Sequence, residues 1–366
     1  MPTPKGTLAA RELSALCRAG GISSPAGIAP EQIQPSSIDL SLAAEAWRMP
    51  GSALPLPGEK VSDIIRDLAV ERLDLSKPTC LARDHVYLVR LRERFALEAE
   101  VEGYTNSKSS TGRIDLATRS ICDGSTRYDR IPRGYQGDVW VELIPRSFDV
   151  VVQEGDLLNQ VIIFRDRQIL SQENLLTLPT LLFEPDASPT PRGHNVVDGR
   201  ILMSVDLSGP IAGWRARSSF KPVVVRSVGT HRDQDYFEPI TRLDRQALFL
   251  EQDSFYILVT WERIAVPADL ASEMVPYDAS AGDFRAHYAG FFDPGWGIEA
   301  GRMTGRRAVL EVRPHADDLI LRHRQVICAM AYERLTSPSD MLYGTRSNNY
   351  ATQDGPKLSK HFFTSP

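Results

Sequence analysis

The chain has 366 residues, a formal net charge of −5, 42% hydrophobic and 24% charged residues, the balance of a globular protein long enough for two domains. The negative charge argues against a nucleic-acid coat or a membrane-surface role, and no apolar run approaches transmembrane length, so neither nucleic acid nor membrane is expected as a partner. Met1 to Gly6 lacks the apolar core of a signal peptide, which makes the cytoplasm the expected compartment.

Leu8 to Arg18 carries apolar residues at helical spacing (Leu8, Leu13, Leu16, Cys17) and stops before Gly20-Gly21, predicting a short helix. Ser37 to Leu42 alternates as a strand, and Leu81 to Leu97 holds two more, Val86-Tyr87-Leu88-Val89 and one ending at Phe95-Ala96-Leu97. Asn106 to Arg113 is small, polar and cationic; backbone N–H groups, hydroxyls, one Lys and one Arg are what a triphosphate needs. Ile114 to Ile131 is polar and reads as loop. Val139-Trp140-Val141-Glu142-Leu143 is apolar except for one carboxylate. Such a Glu is either a surface residue on an alternating strand or a carboxyl kept in a dry site for proton transfer. Val150 to Val152 and Leu157 to Phe164 read as strands. Glu184 to Gly193, rich in Pro and small polar residues, reads as a linker. With 25 Gly and 25 Pro between short strands, the class is all-β, a barrel or jelly roll with a few short helices.

Beyond the linker the pattern returns. Arg94-Phe95-Ala96-Leu97-Glu98-Ala99-Glu100 is echoed 169 positions later by Arg263-Ile264-Ala265-Val266-Pro267-Ala268-Asp269. Tyr87 and Tyr256 share that offset, as do Glu142 and Glu311. Val161-Ile162-Ile163-Phe164 matches Ala329-Met330-Ala331-Tyr332 one residue out of step. A constant offset across separated segments predicts one duplicated β-domain. The expected organisation is a first domain over 1–185, a linker over 186–200 and a second domain over 201–366. The second copy reads Tyr277-Asp278-Ala279-Ser280 where the first has Lys108-Ser109-Ser110-Thr111, so one competent site per chain is expected, built on the first half. Glu311, without its partners, reads as structural. Asp293, in Asp293-Pro294-Gly295, is either a sugar contact or a turn-former.

Cys17, Cys80, Cys122 and Cys328 are far apart and form no Cys-x-x-Cys pair, so structural zinc is not expected. Zinc-dependent nucleobase deaminases use His-x-Glu and Pro-Cys-x-x-Cys, and neither occurs. His231, His287, His315 and His323 show no ligand spacing, so the expected set of metal ligands is empty.

Lys108-Ser109-Ser110-Thr111-Gly112-Arg113, followed by Gly134-Tyr135-Gln136-Gly137-Asp138-Val139-Trp140-Val141-Glu142, resembles the paired motifs of dCTP deaminases of the dUTPase-like superfamily. Gln34-Pro35-Ser36-Ser37-Ile38-Asp39, the N-terminal helix, and the tail Asn349-Tyr350-Ala351-Thr352-Gln353-Asp354-Gly355 resemble further segments of that family. The resemblance implies two tandem dUTPase-like domains and zinc-independent hydrolytic deamination of dCTP to dUTP and ammonia, supplying dUTP for thymidylate synthesis. It implies Glu142 as proton shuttle, Arg113 as the residue stabilising developing charge, and Ser109 orienting water or base. Lys108, Ser110, Thr111, Gly112, Val141, Tyr343, Tyr350 and Gln353 would bind substrate, with Asp129 replacing a sugar contact. Mg²⁺ would arrive bound through the triphosphate, and the chain would form a homo-oligomer, a trimer by preference. Two rivals stand beside this reading: a bifunctional enzyme carrying dCTP through to dUMP, and a non-catalytic nucleotide-binding module.

Overall fold

The structure is a computed structural model that describes residues 4–178, 182–183, 196–241, 243, 246–276, 284–287, 290–345, 350 and 353–363, with backbone alone at 182–183, 276 and 284–287. Glu184 to Gly193, Tyr277 to Ser280 and Asn349 lie outside them. The chain forms two compact units. The first runs to Arg167 and includes Ser218–Arg232 and Ser359–Phe363; the second comprises Gln168–Arg217 and Asp233–Leu358.

The first unit opens with α1 (Ala10–Arg18), where Glu12 Oε2 accepts the Ala9 N–H at 2.9 Å, Leu13 and Leu16 are buried, and Gly20 turns out at φ 81°. Its longer strands are β1 (Ile38–Met49), β2 (Thr79–Leu81), β3 (Val86–Ala96), β4 (Glu102–Ser107), β5 (Leu116–Cys122), β6 (Gln136–Pro145), β7 (Val150–Val152) and β8 (Leu157–Arg165); β2 and β7 lie in a side sheet and the others in the main one. The main order is β5-β6-β3-β1-β8-β4, antiparallel throughout. The polar segment expected as loop therefore contains β5. It escapes the alternation test because Thr118 and Ser120, on its inward face, are buried polar residues. A helix absent from the expected elements, α2 (Val61–Leu68), has Val61, Ile64, Ile65 and Leu68 at helical spacing and packs Val61, Ile64 and Ile65 with Leu88, Ile121 and Trp140.

The second unit repeats the plan with β9 (Arg200–Ser204), β10 (Ala247–Leu250), β11 (Tyr256–Ile264), β12 (Leu270–Pro276), β13 (Arg306–Pro314), β14 (Leu319–Arg322) and β15 (Val326–Arg334). The 169-residue offset is present in the hydrogen bonds. Tyr87 Oη accepts from Ala82 N and Tyr256 Oη from Glu251 N, both at 2.9 Å. Asp84 N reaches Pro145 O as Asp253 N reaches Pro314 O, and both Asp residues sit at positive φ. Arg83 N bonds the Asp149 carboxylate as Gln252 N bonds that of Asp318. The one-residue slip in the last matched strand does not exist. Ile38 faces Val161 and Ile201 faces Met330, which keeps β8 and β15 at the same offset of 169.

Each unit also holds the same buried device. Ser41 donates its N–H and hydroxyl to Glu93 at 2.8 and 2.7 Å, and Ser204 does so to Glu262 at 2.7 and 2.7 Å. Gln32 Nε2 adds a third donor to Glu93 at 2.8 Å. Burial pushes both carboxyls up, against these hydrogen bonds. Glu93→Gln turns an acceptor into a donor facing donors. It is expected to cost about 1–3 kcal/mol, visible as a lower melting temperature, with a similar fall for Glu262→Gln.

Among the described residues no helix is long and apolar enough to cross a membrane.

Candidate active site

β6 carries Glu142 into the sheet between β3 and β5, opposite Leu88 on one side and Arg119 on the other. Its strand neighbours Val139, Trp140, Val141, Leu143 and Ile144 are all buried, and Trp47 lies 5.5 Å from Trp140, so the carboxylate enters a dry wall. The turn leading into β6 explains the two glycines. Gly134 sits at φ 66°, and a Cβ at Gly137 would lie 2.8 Å from Tyr135 Oη, which donates to Asp138 O at 2.5 Å.

The Glu142 side chain is 1% exposed and Arg119 36%. Arg119 donates to Oε1 through Nε at 3.0 Å and also through Nη2. The other oxygen, Oε2, lies 3.4 Å from the Tyr128 hydroxyl. Arg119 stacks 4.1 Å over the Tyr128 ring and reaches Ser52 Oγ at 3.0 Å. Glu142 thus has one oxygen clamped by a guanidinium and the other lightly held, a geometry that fixes orientation yet leaves an acceptor for chemistry.

Asp129 neighbours this group at a φ of 61°. Its Oδ1 accepts from Ser120 N and Thr105 Oγ1, both at 2.8 Å. Loss of water around the carboxyl pushes its pKa up to about 6, with Glu142 adding to the rise and the hydrogen bonds and Arg119 opposing it. Val141 lies one residue from Glu142 and faces Ser120 and Val89.

A second group gathers where β4 ends. Lys108 N bonds Leu158 O at 3.0 Å, and the chain then makes one helical turn, α3 (Ser109–Gly112). Ser110, Thr111, Gly112 and Arg113 are buried, and Ser109 is half-buried. Lys108 forms an ion pair with Asp39 of β1. Burial pushes the Asp39 carboxyl up, while Lys108 and Lys360 pull it down. Ser107 Oγ, Thr118 Oγ1 and Asn159 Nδ2 link β4, β5 and β8 at 2.7 and 3.0 Å, holding this turn to the strand that carries Arg119.

Of the expected site residues, Glu142, Val141 and Asp129 fall in one group, and Lys108, Ser109, Ser110, Thr111, Gly112 and Arg113 in the other, both in the first unit. Tyr343, Tyr350 and Gln353 fall in the second unit. Tyr350 is in its apolar core, Tyr343 packs 5.1 Å from Trp296, and Gln353 Nε2 donates to Arg307 O at 3.0 Å. Glu311 is buried on β13 opposite Ile257, and Asp293 O accepts from Trp296 N at 3.1 Å in its turn. Sequence reasoning missed Arg119, Tyr128 and Asp39 as site members. The first two lie in the stretch read as loop, and only the pairing of β5 with β6 sets Arg119 opposite Glu142. Among the described residues no three His, Cys, Asp or Glu side chains group as a metal ligand set.

A family model described as the 2′-deoxycytidine 5′-triphosphate deaminase (DCD) N-terminal domain matches residues 4–167, and one for the C-terminal domain matches residues 186–362. A curated relative from Methanosphaera stadtmanae, named "dCTP deaminase, dUMP-forming", is 29% identical over 132 residues, which is 35% of this chain and 63% of that protein; this chain therefore matches under two thirds of its length. The crystal structure of 2′-deoxycytidine 5′-triphosphate deaminase from Agrobacterium tumefaciens aligns with a TM-score of 0.85 at 36% identity, over 92% of this chain and 100% of that one.

Proposed function

This chain belongs to the 2′-deoxycytidine 5′-triphosphate deaminase family, and we propose that it hydrolyses dCTP to dUTP and ammonia in the cytoplasm, with Glu142 as the proton shuttle. The observation that carries this reading is the buried Glu142, with Oε1 clamped by Arg119 and Oε2 lightly held. In the proposed reaction Oε2 takes a proton from a water, whose oxygen adds to C4 of cytosine. Glu142 then returns that proton to ring N3. A second transfer, from the new hydroxyl to the amine, lets the C4–N bond break and ammonia leave. Arg113 stabilises the charge that develops on the base, Ser109 orients water or base, and Lys108, Ser110, Thr111 and Gly112 face the phosphates. Mg²⁺ enters with the triphosphate and shields its charge. Zinc independence rests on the missing zinc-deaminase motifs, which leave a carboxylate to activate the water.

The Glu142 group and the Lys108 group make separate sets of contacts within one unit. That separation supports a homo-oligomer in which one copy's Glu142 group meets another's Lys108 group, a trimer being the arrangement that the family resemblance favours. Tyr343, Tyr350 and Gln353 are proposed to act from the second unit on the bound nucleotide. The name of the Methanosphaera relative supports a second reading, in which the product continues to dUMP and pyrophosphate.

The test is incubation of the purified chain with dCTP and Mg²⁺, resolving dUTP, dUMP, pyrophosphate and ammonia. Accumulating dUTP and ammonia support the deaminase; dUMP and pyrophosphate support the second reading; binding without turnover defeats both. A pH series adds a prediction. If the Asp129 carboxylate accepts the sugar 3′-hydroxyl, kcat/KM falls as pH drops through about 6, because protonation removes an acceptor charge. Asp129→Asn should lose that acid limb, with a lower plateau.

A further inference from the structure

The duplication leaves one of its two side sheets short of a strand. In the first unit β2 pairs with β7, Cys80 opposite Val151, and a third strand, Val223–Val224, runs parallel to β7 on its far edge. Val223 N and Val225 N donate to Asp149 O and Val151 O at 2.8 and 3.1 Å, and Arg226 secures the added strand on Asp156, at 2.7 Å. The second unit pairs β10 with β14 in the same register, Phe249 opposite Ile320, each 169 positions further on. Among the described residues that sheet has two strands, and none pairs with the far edge of β14. Gln325 stands where Asp156 does, so the carboxylate that holds Arg226 has no counterpart.

The backbone of that edge is defined by the same register. Asp318 O and Ile320 O correspond to the two carbonyls that accept from Val223 and Val225, and by alternation the Ile320 N–H faces the same way. One step on, Arg322 N is met by Gln325 Oε1 at 3.0 Å, as Gln153 N is by Asp156 Oδ2 at 2.7 Å. The inner face of the strand pair is core, with Leu248, Leu250 and Leu321 buried. The outer face carries Phe249, 54% exposed, beside Ile320, 66% exposed, where the first unit has the smaller Cys80 and Val151. Asp318 and Arg322 flank Ile320 on this outer face, and both are exposed.

These charges are self-complementary. Two copies of β14 laid antiparallel, Ile320 opposite Ile320, set Asp318 of each copy opposite Arg322 of the other. A parallel copy in register would set Asp318 on Asp318 and Arg322 on Arg322, and is repelled. In the antiparallel arrangement the two Ile320 residues exchange N–H and C=O bonds. Phe249 and Ile320 of both copies then form one apolar row across four strands, with an ion pair at each end.

We infer that the far edge of β14 is an interface with a second copy of this chain, formed about a two-fold axis through Ile320. Such a contact uses the same patch twice and closes on itself, so it pairs two chains whatever ring they otherwise form. It also removes an unpaired, apolar strand edge from water. The inference stands on the second unit alone and is independent of the deaminase reading.

The experiment is sedimentation velocity with light scattering on the full chain over a concentration series. The proteins are wild type, Ile320→Pro, Asp318→Arg and Arg322→Asp, with melting curves to establish that each is folded. Proline removes the central N–H donor. Wild type is expected to reach twice the mass that Ile320→Pro retains. Each charge reversal should raise the dissociation constant of this step about tenfold or more, because the axis repeats the like-charge contact. Mixing Asp318→Arg with Arg322→Asp should restore the doubled mass, since each copy then meets opposite charges at both ends. The inference is overturned if wild type and Ile320→Pro have the same mass at every concentration, or if the mixture of charge variants stays at the lower mass. A peptide of Lys221 to Ser227 is the control for another occupant. If wild type stays at the lower mass yet binds this peptide, and Ile320→Pro does not, the edge takes an extended segment and the second-copy assignment falls.

Discussion

Replacing Glu142 by Gln is expected to reduce kcat for dCTP deamination by about 10³- to 10⁴-fold, because one carboxyl serves every proton transfer in the proposed reaction. The amide has the same shape, and its oxygen can still accept from Arg119 Nε, which donates to Oε1 at 3.0 Å. The amide cannot take a proton from water at neutral pH. KM should move little, since the residues proposed for the phosphates are Lys108, Ser110, Thr111 and Gly112 and none of them changes. Single-turnover assays of ammonia release, with dCTP binding measured alongside, test this directly. Normal turnover in a folded Glu142→Gln chain would remove Glu142 from the chemistry and leave it as a buried anchor for Arg119. If dUTP supplied from outside is still cleaved to dUMP by this variant, the phosphate chemistry does not need the carboxyl and the second product reading gains.

The elements that sequence made legible are those whose side chains obey a single rule. β6 reads as a strand because six of its residues are apolar and buried (Val139, Trp140, Val141, Leu143, Ile144 and Pro145), with Glu142 the one exception between Val139 and Pro145. The duplication is legible because Tyr87 and Tyr256, or Asp84 and Asp253, perform the same backbone task at the same place, and such tasks admit few residue types. β5 was not legible, since a strand that lines a polar site buries Thr118 and Ser120 and breaks the alternation that marks a strand. Arg119 was hidden for a different reason. Its contact with Glu142 joins residues 23 positions apart, and no local pattern encodes a cross-strand pair. The tail residues Tyr350 and Gln353 show the converse. Their motif was visible, but where they sit, in the second unit's core and on Arg307 O, is set by packing.

Arg119→Met is expected to be the most damaging single change outside the proposed chemistry. Removing one member of a buried ion pair strands the other, at a cost of about 3–5 kcal/mol when both are buried. Arg119 is about a third exposed, so solvent screening lowers the expected loss to about 2–3 kcal/mol. Methionine keeps much of the aliphatic packing over Tyr128, where the guanidinium lies 4.1 Å from the ring centre, so the change isolates the charge. Activity should fall about 10²-fold in the fraction that stays folded, because Oε1 loses both donors that fix the carboxylate plane and Oε2 no longer points one way. Arg119→Lys should restore part of the stability and less of the rate, since an ammonium cannot reproduce the two-nitrogen grip on Oε1. The double variant Arg119→Met/Glu142→Gln separates the two roles. Without a stranded carboxylate, its stability should exceed what the two single losses predict by about 1–2 kcal/mol, the signature of direct coupling, while its activity should be no lower than that of Glu142→Gln alone. Additive stability losses would mean that the pair seen across β5 and β6 carries no net energy. A further drop in rate below Glu142→Gln would mean that Arg119 acts on the substrate in its own right, and not through the carboxylate it holds.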